Sequence, residues 1–533
     1  MQEAPSKISN SKNLAATIGR NTFFGVVAKV AQVATRLVTV PVVIAHLGLG
    51  GYGIWSIIMT TAAYMRFGSI GIKSAFQKYV AEATGKGDFE RANKLLSTGC
   101  AIMLVLSLAG LLPVAYFSRE IATLAGVPSE FLSSSAHAFT MLAFIMVIAN
   151  VGAVYEAIVM GGHRVDLARN FSTFFTVAEA VAIVIVLQFG AGLFAMASIM
   201  AASELAFIAS CYIASKKVVP QIGVRPAHVC RSVVRELIRF GGSYQIVNIL
   251  EVLYLSIVPI TVLRIFGADA SGIYALTTRL SGSAVMLPDA LLLPILSGAA
   301  MVFASGSAEE MRTLIAKSFK VTLALGLFPL GFIAMFGPTI VLAWTGEVAS
   351  SLQGAFWLVC AAALFQSFSM LGLVLYRASG KALLDNLRQV LRIGILLSIA
   401  VMAHRLGFFG VLGGLAAAEL FGMGFMLFAL TKAFKAFRIK SLSPDALKLT
   451  TAIAVVLGSA LLSSMLPIPT SGGPRVTAVI RLTLAAFVCL LTAWPAVVLT
   501  KSLSQRERSA IMSVFLPRRG SSEHQPRPLE MVS

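Results

Sequence analysis

The chain has 533 residues, 57% of them hydrophobic and only 12% charged, and 43 Lys and Arg against 23 Asp and Glu leave a net charge of +20. Soluble domains carry about 25% charged residues; with half of that and a mean hydropathy of +0.85, a soluble globular protein is excluded. The five cysteines (Cys100, Cys211, Cys230, Cys360, Cys489) stand singly and the six histidines are dispersed, so no disulfide framework, metal site or cofactor is expected.

In chain order, residues 1–22 are polar and lack the short apolar core of a removable signal peptide. Apolar runs of about 20 residues, the length that crosses a bilayer as helix, then fall at 23–46, 53–77, 95–117, 136–160, 170–190, 194–215, 241–265, 272–298, 317–341, 353–377, 388–404, 410–431, 449–466 and 476–500. The expected fold class is an all-α polytopic membrane protein with about 14 transmembrane helices. Its parts are an N-terminal segment 1–22, a first set of six spans over 23–215, a linker 216–240, a second set over 241–431, a loop 432–448, spans thirteen and fourteen over 449–500, and a tail 501–533.

An even number of spans puts both termini on one side. If that side is cytoplasmic, its segments hold 32 of the 43 basic residues, counting with them Arg377, Lys381, Arg388 and Arg392 around the break from span ten to span eleven, while the other side holds only Arg119, Arg264, Arg405 and Arg475. That asymmetry is the one cytoplasmic loops show, so the charge reports orientation and nucleic acid is not an expected partner. The basic linker Lys216–Phe240, with Pro220 and Pro226, reads as a cytoplasmic connector lying on the membrane surface.

The chain also resembles itself. Pro41 leading to Gly53-Ile54-Trp55 is echoed by Pro259 leading to Gly272-Ile273-Tyr274, Gly161 and Arg169 by Gly380 and Arg388, and Ala201–Leu205 by Ala416–Leu420. The offsets stay between 215 and 219 residues, as expected of two related halves in the same orientation. Spans thirteen and fourteen fall outside the repeat.

Charges within spans are costly, about 2.5–3.5 kcal/mol for a central Arg or Lys on insertion scales. Lys29, Gln32 and Arg36 share one face of span one, and Arg66, Ser69, Lys73 and Gln77 share one face of span two. Facing inward, the two stripes would line a cationic cavity; alternatively Lys29, Lys73 and Lys78 reach the nearby membrane surface. Arg279 in span eight is a cavity residue or an interfacial anchor. Acids lie in spans at Glu156, Glu179, Glu204, Glu251, Asp289 and Glu419. Glu204 and Glu419 match in the repeat, and Gln245, Asn248 and Glu251 form a polar stripe. Such acids are candidates for proton coupling or pair with basic residues between helices.

Arg grips phosphate oxygens with a two-pronged fork, so the cationic stripes point to a phosphorylated substrate. Helix-bending Pro41, Pro113, Pro259, Pro288, Pro294 and Pro329 and the paired halves point to alternating access. The loops Gly85–Glu90 and Gly161–Asp166 form no catalytic set, so an enzyme is not expected.

Leu47-Gly48-Leu49-Gly50-Gly51-Tyr52-Gly53-Ile54-Trp55, then Tyr79–Glu82, Gly87-Asp88, Ser97-Thr98-Gly99 and Gly380-Lys381, resemble the polysaccharide-biosynthesis flippases of the multidrug/oligosaccharidyl-lipid/polysaccharide exporter superfamily. The resemblance covers most of 20–435. It implies two six-helix lobes forming a V around a central cavity, plus two C-terminal helices. It also implies translocation of a polyprenyl-diphosphate-linked oligosaccharide across a bacterial inner membrane for exopolysaccharide or O-antigen synthesis, with basic residues of the early spans and span eight in the cavity. Arg36, Arg66 and Arg279 fit that pattern by span. Such proteins often carry an acid-x-Gly at the end of span two; here Ser69-Ile70-Gly71 stands instead, so no coupling role carries over there. The partners implied are the lipid-linked oligosaccharide with its diphosphate headgroup, the bilayer, and polymerase and export proteins. Three alternatives stay open: a lipid II flippase, a multidrug/cation antiporter and a non-transporting scaffold of a polysaccharide assembly complex.

Overall fold

A straight helix of 59 residues would be about 88 Å long, nearly three times the hydrocarbon core of a bilayer. A run such as Arg231–Asp289 therefore has to turn, and it does so at Gly267, where φ is 86°. The computed structural model describes residues 31, 34, 35, 37–60, 76–162, 164–346, 351–377, 383–433, 443–467 and 473–502. Regular structure among them is helical throughout: α1 (Leu37–Thr60), α2 (76–86), α3 (Phe89–Tyr116), α4 (Ser118–Leu124), α5 (Ser129–Gly161), α6 (Val165–Gln188), α7 (Leu193–Val218), α8 (Arg231–Asp289), α9 (Leu292–Ser305), α10 (Ala308–Thr345), α11 (Leu352–Arg377), α12 (Leu383–Ala433), α13 (Ser443–Ser464) and α14 (Gly473–Leu499), with a single 3₁₀ turn at Pro226–His228.

Eleven of the described helical runs are long and apolar enough to cross a membrane. Three of them are broken by a glycine in the left-handed region, at Gly48, Gly267 and Gly407, so each holds two segments and eleven becomes fourteen. The breaks fall between spans one and two, seven and eight, and eleven and twelve, where the hydropathy pattern expects them. Exposed Phe174, Val177, Val181 and Ile185 on α6, and Phe487, Leu490, Leu491, Trp494 and Val498 on α14, recur at helical spacing on single faces. Such a face is stable against lipid and not against water. The chain is an all-α multi-pass membrane protein.

The backbone repeats itself as the sequence does. Gly48, Gly87, Gly126 and Gly190 have positive φ, and so do Gly267, Gly306, Gly346 and Gly407; the pairs lie 217 to 220 residues apart in order. The pair Gly87 and Gly306 is followed in each case by a side-chain cap. Asp88 accepts from Arg91 N at 3.2 Å, and Ser307 accepts from Glu310 N at 3.3 Å, opening α3 and α10 with one satisfied terminal N–H apiece. Helices α13 and α14 pack outside this pattern on α10, where Phe336 meets Ala452, Val456, Ala485 and Cys489.

Glycine also brings the two halves together. A Cβ on Gly53 would lie 2.5 Å from Gly272 N and 2.7 Å from Ala268 O, and one on Gly272 would run into Leu49 O. Positions 49 and 53 correspond to 268 and 272 in the repeat, so the contact is reciprocal, as at a pseudo-twofold axis. Gly126 lies against the backbone of Arg264 in the same region. These contacts are all at the end bearing the Gly48, Gly126 and Gly267 turns, called here the far end. The opposite end carries 219–230, which joins α7 to α8.

That connector is moored to α3. Asn93 Nδ2 donates to Gln221 O at 3.2 Å and Asn93 Oδ1 accepts from Gly223 N at 2.9 Å, while Ser97 Oγ accepts from Arg225 N at 3.0 Å and Thr98 Oγ1 from Cys230 N at 2.9 Å. Val219 and Ile222 are buried with Phe76, Val80 and Leu96. Ser97→Ala and Thr98→Val should each cost about 1 kcal/mol, the usual net worth of a hydrogen bond, and together should expose 219–230 to limited proteolysis in the folded protein. Unchanged cleavage would show that the apolar pins alone hold the connector.

Candidate functional site

A cavity of about 390 Å³ opens between the halves. The first half contributes Ser56, Ile57 and Thr60 from the segment of α1 after Gly48; the second contributes residues of α8 on both sides of Gly267, of α11 and of α12. The periodicity of α8 explains the wall it makes. Ser271, Tyr274, Ala275, Thr278, Ser281, Gly282, Val285 and Asp289 all line the cavity at the three- and four-residue steps of one helix face. With Ser56, Thr60, Tyr254 and Gln366, these residues set hydroxyls, two phenols and an amide among apolar side chains such as Ile57, Leu255, Val258, Val359 and Leu415.

One corner of this wall is ionic. Glu419 on α12 and Tyr254 on α8 face the cavity, and behind them Arg392 and Arg388 on α12 are almost completely buried, at 0% and 1% exposure. The Tyr254 hydroxyl donates to Glu419 Oε1, and Arg392 Nη2 donates to the same oxygen. Arg392 Nη1 donates to Gln389 Oε1 at 2.7 Å, Gln389 Nε2 donates to Glu251 Oε2, and Arg388 Nη1 donates to Ser369 Oγ at 3.0 Å. The Arg392 guanidinium also lies 3.8 Å from the centre of the Tyr254 ring, a cation–π contact in a desolvated site. At 1.5 Å per residue, Glu419, Arg392 and Tyr254 all sit about 18–22 Å from the far-end turns at Gly407 and Gly267. The three segments thus bring their polar residues to one depth. Two arginines against two carboxylates leave the cluster neutral overall.

The residues singled out from sequence fare unequally. Lys29, Arg36, Arg66 and Lys73 lie outside the described residues. Arg279 is exposed and sits one residue from Thr278, about 100° round the helix, on the flank of the cavity face. Glu204, half-buried on α7, stands in the first half away from the cavity; Glu419, its counterpart in the repeat, is buried in the ionic corner. Glu251 is half-buried and held by Gln389. Glu156 and Glu179 are half-buried, and Asp289 is exposed where the cavity wall ends.

Arg388 and Arg392 require a correction. Counted by sequence among the basic residues of a connecting segment, they belong to the interior of α12, because the helix begins at Leu383 and turns both toward α8 and α11. Their signal was present: Arg388 and Arg392 are four residues apart, with Gln389 three before Arg392, which is one helix face aimed at the acids of spans seven and twelve. The repeat did not give it away, since Arg169, the counterpart of Arg388, is exposed and Thr173 stands opposite Arg392.

Comparison with known proteins defines the class. The family described as polysaccharide biosynthesis protein matches residues 18–305, more than half of the chain, and the chain belongs to that family. A curated relative, the uncharacterized membrane protein EpsK of Bacillus subtilis (strain 168), is 21% identical over 325 residues, 58% of this chain and 62% of the relative, so the match spans less than two thirds of that protein. Among solved structures, an inward-facing multidrug resistance MATE family transporter of the MOP superfamily aligns with a TM-score of 0.66 at 15% identity, over 77% of this chain and 96% of that one. The lipid II flippase MurJ, in an inward closed conformation, aligns with a TM-score of 0.64 at 14% identity, over 93% of this chain and 99% of that one. At such identities the likeness establishes a shared fold, that of MOP-superfamily transporters.

Proposed function

We propose that the protein is a flippase that moves a polyprenyl-diphosphate-linked oligosaccharide across the bacterial inner membrane for exopolysaccharide or O-antigen synthesis. The observation that carries the reading is a cavity between two repeated halves whose wall mixes hydroxyls, two phenols and an amide with apolar side chains, as an amphiphilic substrate needs, in a chain of the polysaccharide biosynthesis family. Such a lining satisfies sugar hydroxyls. The chain acts as a transporter and not as an enzyme, with both termini cytoplasmic and with polymerase and export proteins as partners.

In this reading Arg36, Arg66, Lys29 and Lys73, with Arg279 at the flank, hold the diphosphate. Among the acids Glu204, Glu251 and Glu419, Glu419 is the favoured coupling residue because it alone lines the cavity. Loss of the gene should leave lipid-linked oligosaccharide protected from reagents added outside intact spheroplasts, and Arg36→Ala should reproduce this with normal membrane insertion. Full labelling from outside in the deletion strain would refute the reading. Lipid II translocation is a second reading, favoured by the alignment with MurJ over 93% of the chain. Arrest of peptidoglycan synthesis on depletion, with polymer export affected only secondarily, would decide for it.

A further inference from the structure

The ionic corner holds cations one layer behind the cavity wall, and the layer in front is a carboxylate. We infer that Arg392 is a phosphate-binding residue kept covered by Glu419, and that proton uptake by Glu419 releases it to an anionic phosphate group entering the cavity. The inference rests on the flippase reading and adds to it a site in the second half of the chain, with a rule for its use.

Four observations support it. Arg392 is wholly buried, and two of its direct partners, Glu419 and Tyr254, line the cavity. Its Nη2 is taken by Glu419 Oε1, while its Nε has no hydrogen-bond partner among the described residues, so the guanidinium keeps an unused donor. Glu419 Oε2, buried at 2% residue exposure, also has no hydrogen-bond partner among them, which leaves one carboxylate oxygen to receive a proton. Arg388 follows one turn away on the same face, a second cation at the same corner.

A pair serving only to fasten helices has little reason to present its acid to a cavity, because apolar packing of equal volume fastens as well or better. A pair that exchanges partners does. With Glu419 ionised, its carboxylate occupies the guanidinium as a phosphate oxygen would. With Glu419 protonated, the charge on Arg392 is uncompensated and a phosphate oxygen accepts its N–H groups instead. The proton enters on Glu419, the anion enters on Arg392, and no covalent bond is made or broken. The charged and titratable groups facing Glu419 are Arg392 and Arg388 along α12, Tyr254 on α8, Glu251 on α8 through Gln389, and Asp289 at the far limit of the cavity. By linkage, anion binding raises the affinity of Glu419 for its proton, and the proton raises the affinity for the anion.

The test is binding of undecaprenyl diphosphate and of inorganic pyrophosphate to the purified full chain across pH. Affinity of the natural protein should rise as pH falls, with about one proton taken up per anion, read by calorimetry in buffers of different ionisation enthalpy. Glu419→Gln should bind at least tenfold more tightly than the natural protein at high pH and lose the pH dependence; Glu419→Gln with Arg392→Gln should lose that gain. Proton uptake of zero in the natural protein, which needs no variant to fold, overturns the inference while leaving the flippase reading intact. Equal pH dependence in Glu419→Gln overturns it as well. Failure of the natural protein to bind either probe at any pH overturns both.

Discussion

Replacing Arg392 by Met should destabilise the folded protein by about 3–5 kcal/mol, the range found when one partner of a buried ion pair is removed and the other is left uncompensated. Glu419 would then keep only the Tyr254 hydroxyl, and Gln389 would lose the donor that orients it toward Glu251. Adding Glu419→Leu to Arg392→Met should restore most of the loss, since two apolar side chains of similar bulk leave no buried charge. Thermal unfolding of the four proteins of this cycle in one detergent measures the effect. A single variant within 1 kcal/mol of the natural protein would mean that water reaches the corner and the pair is not desolvated. Transport should stay absent in the double variant, which separates stability from function.

The second large effect is expected at the far end. Gly272→Leu should prevent the halves from meeting there, because the added Cβ collides with backbone of Leu49 rather than with a side chain that can turn aside. Gly53→Leu should behave alike, its Cβ meeting Gly272 N and Ala268 O. With Ser56→Cys as reporter in a background lacking the five native cysteines, a membrane-impermeant thiol reagent added at the far end should react at least tenfold faster in either variant. Transport should be lost while insertion is retained. Gly110→Leu, whose Cβ would meet nothing, is the control. Unchanged labelling in Gly53→Leu and Gly272→Leu would show that the contact is not the barrier.

The spans were legible because lipid imposes a length and a composition on every crossing helix; the tight turns at Gly48, Gly267 and Gly407 use glycines with positive φ, which the hydropathy pattern alone does not single out. Segment ten, read as 353–377, is found as Leu352–Arg377. Span three, read as 95–117, begins earlier at Phe89, because its first turn is polar and capped by Asp88 rather than apolar. The short helix α4 between spans three and four was not foreseen; seven residues with no apolar run leave little periodicity to read.

The site was less legible, for a reason that Arg392 makes plain. Hydropathy sees a basic residue near a polar break and assigns it to the surface, whereas burial depends on what the neighbouring helices present. Only with α8 and α12 packed together do Glu251, Tyr254 and Glu419 surround it. Arg279, for which the sequence leaves a cavity residue or an interfacial anchor open, is exposed one residue of helical rotation from the cavity face. The matching acids Glu204 and Glu419 show that a repeat preserves position without preserving surroundings.

The moored connector bears on how copies of the chain can associate. A free segment of twelve residues could reach about 40 Å, enough slack for one half to leave its partner and dock with the matching half of a neighbour, the usual route to exchanged dimers. Fastened to α3 through Asn93, Ser97 and Thr98, it has no such slack. Corresponding positions in the second half are Arg312, Ala316 and Lys317, which offer no equivalent set of acceptors. Such a fastening disfavours the exchange of halves between neighbouring molecules.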